Sequence, residues 1–311
     1  MVDYLSGDLL IEGSNYYLQN KKRFLAYATI LDTDKKSCFD FAYDMSYGEK
    51  GEHRYKRSGG SANRTKGQIF INTFQGKLAE YALYRYLLSK NIDTTAPDVS
   101  EYERGVWDAF DLDCQGKHIS VKSTKSYGNL LLLEKEDWNE KGEYLPNKGS
   151  EVCTYDYTVL VRFYPDGEAI MKANHLLLQR DFEIPSNIHD ILCEKVMNVT
   201  WQYDFAGFIY FSELVKMIKE NHSIPKGSYL NGRTKMDADN YYFQAGNMHS
   251  MPELYTGTFG SKDDRADLRL KRTCPKCGGK LVIRNGRYSL FWGCTGFFTD
   301  KKCCYTEPIT Q

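Results

Sequence analysis

The sequence has no apolar run approaching the ~20 residues that a membrane-spanning helix needs. Its first residues, Met1-Val2-Asp3-Tyr4, lack a charged segment followed by an apolar stretch, so no signal peptide is expected. Net charge is missing too. The 41 Lys and Arg residues are balanced by 41 Asp and Glu, which excludes the global basic field that announces many nucleic-acid proteins. No internal repeat or low-complexity tract is present. Cysteine is sparse through most of the chain: Cys38, Cys114, Cys153 and Cys193 are scattered, and the other five of the nine follow residue 273. That clustering points to metal binding in a reducing cytoplasm, the expected location, rather than to a disulfide framework.

What is present is enough chain, 311 residues, for one large domain or two smaller ones with real cores. Charge is uneven locally. From Lys271 to Gln311 eight Lys and Arg face only Asp300 and Glu307. A second basic stretch, from His53 through Arg57 to Lys66, is interrupted by Gly59-Gly60-Ser61; it suits either phosphate contact or an ordinary solvated loop. Residues 1–66 resist assignment, and Phe24 to Leu31 reads as helix or strand. Phe74, Leu78, Tyr81 and Leu88 give a helical pattern from Phe70 to about Asn91. Strands are expected over about 106–114, 117–124, Tyr155–Phe163 and Trp201–Phe211, and a helix from Ser212 to Glu220. Leu130–Leu133 reads as an extension or turn, and Pro225 to Asp264 as a long irregular segment. This order predicts an α/β fold, a mixed sheet flanked by helices.

The chemistry concentrates in a hairpin with Gln115-Gly116 at its turn. Asp111 then stands opposite Ser120. By strand alternation Asp111, Asp113, His118, Ser120 and Lys122 share a polar face, while Phe110, Leu112, Ile119 and Val121 share an apolar one. An Asp and a Lys so placed can hold a divalent metal and the phosphate beside it. Asp108 points to the opposite face in a regular strand, and His118 reads as an exposed strand residue or a DNA contact. The plainer alternative is a solvent-facing strand pair.

Three positions resemble the PD-(D/E)XK nuclease superfamily, the fold of many restriction endonucleases. Gln75-Gly76-Lys77-Leu78-Ala79-Glu80 looks like its first helix, Asp111 matches its strand-end Asp, and Ser120-Val121-Lys122 falls on its (D/E)-X-K triplet. The resemblance covers roughly residues 66–220 and implies a restriction endonuclease-like sheet. Ser120 departs from the pattern by replacing a carboxylate, and Glu80, or failing it Asp113, is the substitute. On this resemblance Asp111 and Glu80 hold Mg²⁺, Lys122 orients the attacking water, and Ser120 hydrogen-bonds a metal-bound water. The alternative is a fold that has lost catalysis and kept binding.

The tail has its own pattern. Cys274-Pro275-Lys276-Cys277-Gly278-Gly279 opens a knuckle, and Cys294 with Cys303 or Cys304 closes it, a ligand set for one structural Zn²⁺. The segment resembles the C4 zinc ribbon at the C-terminus of bacterial type I topoisomerases, and the ending Cys303-x-Tyr305-Thr306 favours Cys303 as fourth ligand. Such ribbons bind DNA. Arg284 and Arg287 would meet phosphates, and Tyr288 and Trp292 would stack on bases or fill the small core; Lys125 is a further expected DNA contact.

Together these readings predict a nuclease domain with an N-terminal extension over 1–256, a linker over 257–270 and a zinc ribbon over 271–311. The expected function is Mg²⁺-dependent endonucleolytic cleavage of double-stranded DNA in a restriction system. Repair or recombination cleavage of branched or single-stranded DNA, and non-catalytic DNA binding, are the alternatives. With one site per chain, cutting both strands needs a homodimer, the expected arrangement, or sequential nicking.

Overall fold

A computed structural model describes residues 8–48, 64–99, 111–146 and 153–258, and in the tail 274–279, 281–285, 290–294, 296 and 302–308. Strands β1 (Leu10–Glu12), β2 (Asn15–Tyr17) and β3 (Ala28–Thr29) precede helices α1 (Asp32–Ser46) and α2 (Lys66–Ser89). The hairpin β4 (Leu112–Cys114) and β5 (Lys117–Lys125) is followed by β6 (Leu130–Glu134), β7 (Tyr157–Tyr164), α3 (Gly167–Ala173), α4 (Ile188–Leu192), β8 (Gln202–Tyr210) and α5 (Phe211–Lys219). Short strands β9 (Ser223–Ile224), β10 (Tyr229–Leu230), β11 (Thr234–Lys235) and β12 (Asn240–Gln244) lead to α6 (Met251–Thr258). The tail holds β13 (Leu281–Asn285), β14 (Leu290–Cys294) and β15 (Thr306–Pro308).

The main sheet is mixed and five-stranded, in the order β3-β8-β7-β5-β4. Pairing is antiparallel everywhere except between β5 and β7. One face is covered by α2, on which α1 packs. Leu112, Ile119, Val121, Val159 and Val161 pack there with Phe70, Phe74, Leu78 and Leu83 in one apolar cluster. Each such aromatic or leucine side chain, fully buried, contributes about 2 kcal/mol. The opposite face meets a three-stranded sheet, β6-β12-β9, and α5; Leu160 of β7 packs there with Leu131, Leu133, Phe243 and Leu214.

Helix α2 is long because its sequence is apolar almost all round and well started. Thr65 accepts the Gln68 N–H and Gln68 accepts the Thr65 N–H, a reciprocal cap of the kind typically contributing about 1 kcal/mol. Asn91, with φ +60°, turns the chain just after the helix ends.

Several expectations need correction. Leu130–Glu134 is a strand of the second sheet, paired with β12, not a turn. The segment after Pro225 is not irregular: it supplies β10, β11, β12 and α6. The β10 and β11 strands, two residues each, are too short to show alternation, and β12 is buried along its whole length, so no period of two exists to read. Phe24–Leu31 is extended, with only Ala28–Thr29 in a strand. The N-terminal strands are not an appendage, since β2 pairs with β10. Helix α6 runs through Gly257 and Thr258, so the expected linker cannot begin at 257; residues 259–270 lie outside the described residues. Among the described residues, no helix is long and apolar enough to cross a membrane.

Candidate functional site

The hairpin turns where the sequence places it. Gln115 and Gly116 both have positive φ, +55° and +77°, the combination that lets two residues reverse a twisted strand pair. The ladder runs Leu112 to Ile119, Asp113 to His118 and Cys114 to Lys117, and Asp111 lies just beyond its open end, next to Ser120.

Asp111 is held firmly. Its Oδ2 accepts the Val121 backbone N–H at 2.6 Å and the Ser120 hydroxyl at 3.3 Å. Ser120 is completely buried, so its hydroxyl serves the Asp111 carboxylate rather than solvent. Lys122 is half-buried, and its Nζ lies 5.7 Å from the centre of the Tyr144 ring, in cation–π range. Lys122 pairs with Leu160 across the parallel ladder, and Leu160 belongs to the second cluster; the polar side chains therefore stand on the face away from α2. That face is not simply solvated. Trp138, Tyr144 and Tyr155 pack together beside it, with Cys153. Burial, then the negative charge of Asp111, pushes the Tyr155 hydroxyl far up from its ordinary value, so Tyr155 stays a neutral group. Burial likewise raises the Cys153 thiol.

The other expected site residues are placed less simply. Glu80 is buried on α2, and its carboxylate meets Lys77 Nζ at 2.9 Å. Its charge is felt by the buried Cys38 of α1. The structure thus brings Asp111, Ser120 and Lys122 together, but Glu80 lies on α2, which packs on the other face of the sheet, and its carboxylate pairs with Lys77. Asp113 is engaged by the turn: its Oδ1 accepts the Gly116 N–H at 3.0 Å, and its Oδ2 lies 3.4 Å from His118 Nε2. Lys125 lies 2.8 Å from Glu168 and 3.4 Å from Asp166. Although partial burial works against its charge, the Glu168 carboxylate holds the Lys125 ammonium well above its ordinary value. Sequence reading missed Tyr144 and Tyr155, because nothing local in the β6–β7 connection marks them as neighbours of the hairpin.

In the tail, Gly278 at φ +68° bends the knuckle. The sulfurs of Cys274, Cys277, Cys294 and Cys303 all lie within 4.8 Å of one another. Cys277 and Cys294 are 3.3 Å apart and Cys274 and Cys303 3.6 Å, too long for disulfides. Four sulfurs at ~2.3 Å from one Zn²⁺ would be spaced by about 3.8 Å, so the cluster has the size of a tetrahedral site. Backbone N–H groups of Gly279 and Gly296 donate to Cys277 and Cys294. The Gly279 bond, aided by Cys294, brings the Cys277 thiol down to about 7, which eases thiolate formation. Cys304 is exposed and its sulfur turns to the Lys302 carbonyl. The four cysteines thus form a candidate site for one structural Zn²⁺.

Comparison with known proteins agrees with that geometry. Residues 271–311 match the family of topoisomerase DNA binding C4 zinc fingers. Over 40 residues the chain is 50% identical to DNA topoisomerase 1 of Methanocaldococcus jannaschii, a stretch that makes up 13% of this chain and 5% of that protein. The likeness therefore concerns the ribbon and not the body. No solved structure matches the chain. Of the expected DNA contacts in the ribbon, Arg287 and Tyr288 lie outside the described residues, and Arg284 is described only as part of β13. Trp292 is half-buried against the cysteine cluster with Tyr305, so part of its ring belongs to the ribbon's core.

Proposed function

We propose that the protein is a metal-dependent DNA endonuclease of restriction type, with the hairpin as its active site and the ribbon as a DNA-binding module. The observation that carries this reading is the grouping of Asp111, Ser120 and Lys122 on one face of the hairpin, with Asp111 fixed by the Val121 amide.

The donor set fits Mg²⁺, an ion that takes one or two protein carboxylates and completes its shell with waters and substrate phosphate. Asp111 would hold it. When bound, the ion polarises the phosphate and lowers the pKa of a coordinated water. The chain's own groups do the rest. The Val121 amide and Ser120 hydroxyl fix the carboxylate's orientation, so it need not reorganise during reaction. The Lys122 ammonium, in contact with the Tyr144 ring, is positioned to offset charge growing on the phosphate and to orient the attacking water. Ser120 is thus assigned as a positioning residue for Asp111. Glu80, on α2 at the other face of the sheet and paired with Lys77, is not placed to join that shell, which leaves Asp111, water and substrate phosphate as its ligands. The match of the tail to the topoisomerase DNA binding C4 zinc finger supports DNA as the substrate class. A homodimer is the arrangement by which single-site chains would cut both strands.

A second reading rests on that same Glu80–Lys77 pair and on the buried hydroxyl in place of an acid: a non-catalytic DNA-binding protein with a nuclease-like body. Digestion of modified and unmodified plasmid DNA with Mg²⁺, followed by sequencing of the ends, separates the readings. Discrete duplex fragments support restriction, and cleavage confined to branched or single-stranded DNA supports a repair role. DNA binding without cleavage of any of these substrates supports the second reading.

A further inference from the structure

The main sheet ends at β3, and between that edge and α2 lies a cavity of about 570 Å³. This is within the range of small-ligand sites. Its walls are aromatic. Tyr27, half-exposed, stands 5.5 Å from the Tyr86 ring and 6.0 Å from the Tyr203 ring, and all three line the cavity. Two charged residues also line it, Asp34 and Arg85. Asp34 is almost fully buried; its oxygens accept Arg85 Nε at 2.8 Å and Nη2 at 2.6 Å.

That pairing has a chemical consequence. A guanidinium carries five N–H donors in a rigid plane, and Asp34 takes two of them on one edge. The carboxylate is used up as an acceptor and locks the plane, while donors remain for a ligand with two adjacent acceptors. A cavity with tyrosine walls and a fixed donor fork suits a flat heterocycle with such an edge. Lys90, exposed just beyond, holds its Nζ 5.3 Å from the centre of the Tyr86 ring and places a cation where an attached phosphate would lie.

We propose that this cavity receives a single nucleobase turned out of a DNA strand, with guanine preferred. Tyr27, the exposed ring, stacks on the base above the buried Tyr86 and Tyr203, Arg85 donates to its O6 and N7 edge, and Lys90 meets its phosphate. Adenine presents an amino donor where guanine has O6, so it meets the guanidinium donor to donor. The inference rests on the reading that the protein engages DNA, but it does not require that DNA be cut.

The test is titration of the zinc-loaded full chain with each of the four deoxynucleoside 5′-monophosphates, followed by calorimetry. Deoxyguanosine monophosphate is expected to bind at least roughly tenfold more tightly than the adenine nucleotide, in line with one bidentate base contact. Tyr27→Ala, at a half-exposed position that the fold tolerates, is expected to weaken binding of every nucleotide by roughly tenfold. Arg85→Lys keeps a cation beside Asp34 and is expected to remove the guanine preference, with its melting temperature checked alongside. Asp111→Asn is expected to bind deoxyguanosine monophosphate as the natural chain does, so failure of the nuclease reading leaves this result standing. Absence of binding by all four nucleotides, or binding indifferent to Tyr27→Ala, overturns the proposal.

Discussion

The Asp111 carboxylate accepts the Val121 amide at 2.6 Å, a bond that joins the residue beyond the hairpin's open end to the strand that carries Lys122. It makes the position of Asp111 a property of the backbone, not of a neighbouring side chain. Ser120 adds only a longer bond, 3.3 Å, to the same oxygen. Ser120→Ala is therefore expected to cost about 1 kcal/mol of stability, the usual net value of one hydrogen bond, and to leave DNA cleavage within roughly tenfold of the natural chain. Chemical denaturation and single-turnover cleavage measure the two effects. A complete loss of cleavage would instead make Ser120 a direct participant.

Lys125 gives the opposite expectation. With Glu168 and Asp166 beside it, it is expected to act as a structural cation rather than as a phosphate contact. A lysine that neutralised one phosphate would, on removal, lower the slope of log affinity against log salt by about 0.9. Lys125→Ala is expected to leave that slope unchanged and to lower stability instead. The sign with pH follows from the raised folded-state value: the pair's contribution is fully present below the unfolded lysine value and fades only as pH rises through the folded one. Denaturation midpoints at neutral and strongly alkaline pH check it.

Arg162 is completely buried, and its guanidinium binds both Asp204 oxygens, at 2.8 and 2.6 Å, and the carbonyls of Lys22 and Arg23. Asp204 also accepts the Leu25 amide. This pair ties the incoming N-terminal segment to the sheet. Asp204→Ala leaves an uncompensated buried charge and is expected to cost about 3–5 kcal/mol. Limited proteolysis near Lys22 and Arg23 should accelerate in parallel. A cost under 1 kcal/mol would mean that water reaches the site freely.

Gly207 sits inside β8 with φ +148°, beside the register shift between Leu160 and Val161. A Cβ there would lie 2.4 Å from the His249 carbonyl oxygen and 2.6 Å from the Met248 Cβ. Gly207→Ala is expected to destabilise the body by about 2–4 kcal/mol, through both strain and the displaced α6 approach. A melting temperature within a degree of the natural chain would contradict it.

Metal removal separates tail from body. The ribbon's small core is its cysteine cluster with Leu281, and chelation is expected to unfold it while the main unfolding transition stays in place. Acid has the same effect, because the thiolates must be deprotonated to bind; zinc is retained at higher pH and released as pH falls. Metal analysis beside circular dichroism reads both. A body that unfolds on chelation would show the ribbon to be part of the main core.

The parts that sequence made legible are those governed by short-range rules. The Gln115-Gly116 turn, the long apolar run of α2 and the Cys-x2-Cys knuckle each follow from neighbouring residues. What escaped depends on distant pairing. Tyr144 and Tyr155 reach the hairpin only because β6 and β7 lie on either side of one connection, and β12 carries no alternation because both of its faces are covered. Helix α1 went unassigned because its buried face includes Asp34 and Lys35, charges that become tolerable only beside Arg85 and the Val199 carbonyl. Glu80 matches a motif by position, but its side chain answers to Lys77, one turn earlier on the same helix.

The most direct test is single-turnover cleavage of DNA in Mg²⁺ by the natural chain, Lys122→Ala and Asp111→Asn, with DNA binding measured on the same samples. Cleavage by the natural chain is expected, with at least a ~100-fold loss in each variant, the scale on which fixed electrostatic groups act, while DNA affinity is retained. Undiminished cleavage by Lys122→Ala, or no cleavage by the natural chain on duplex, single-stranded or branched DNA, would contradict it.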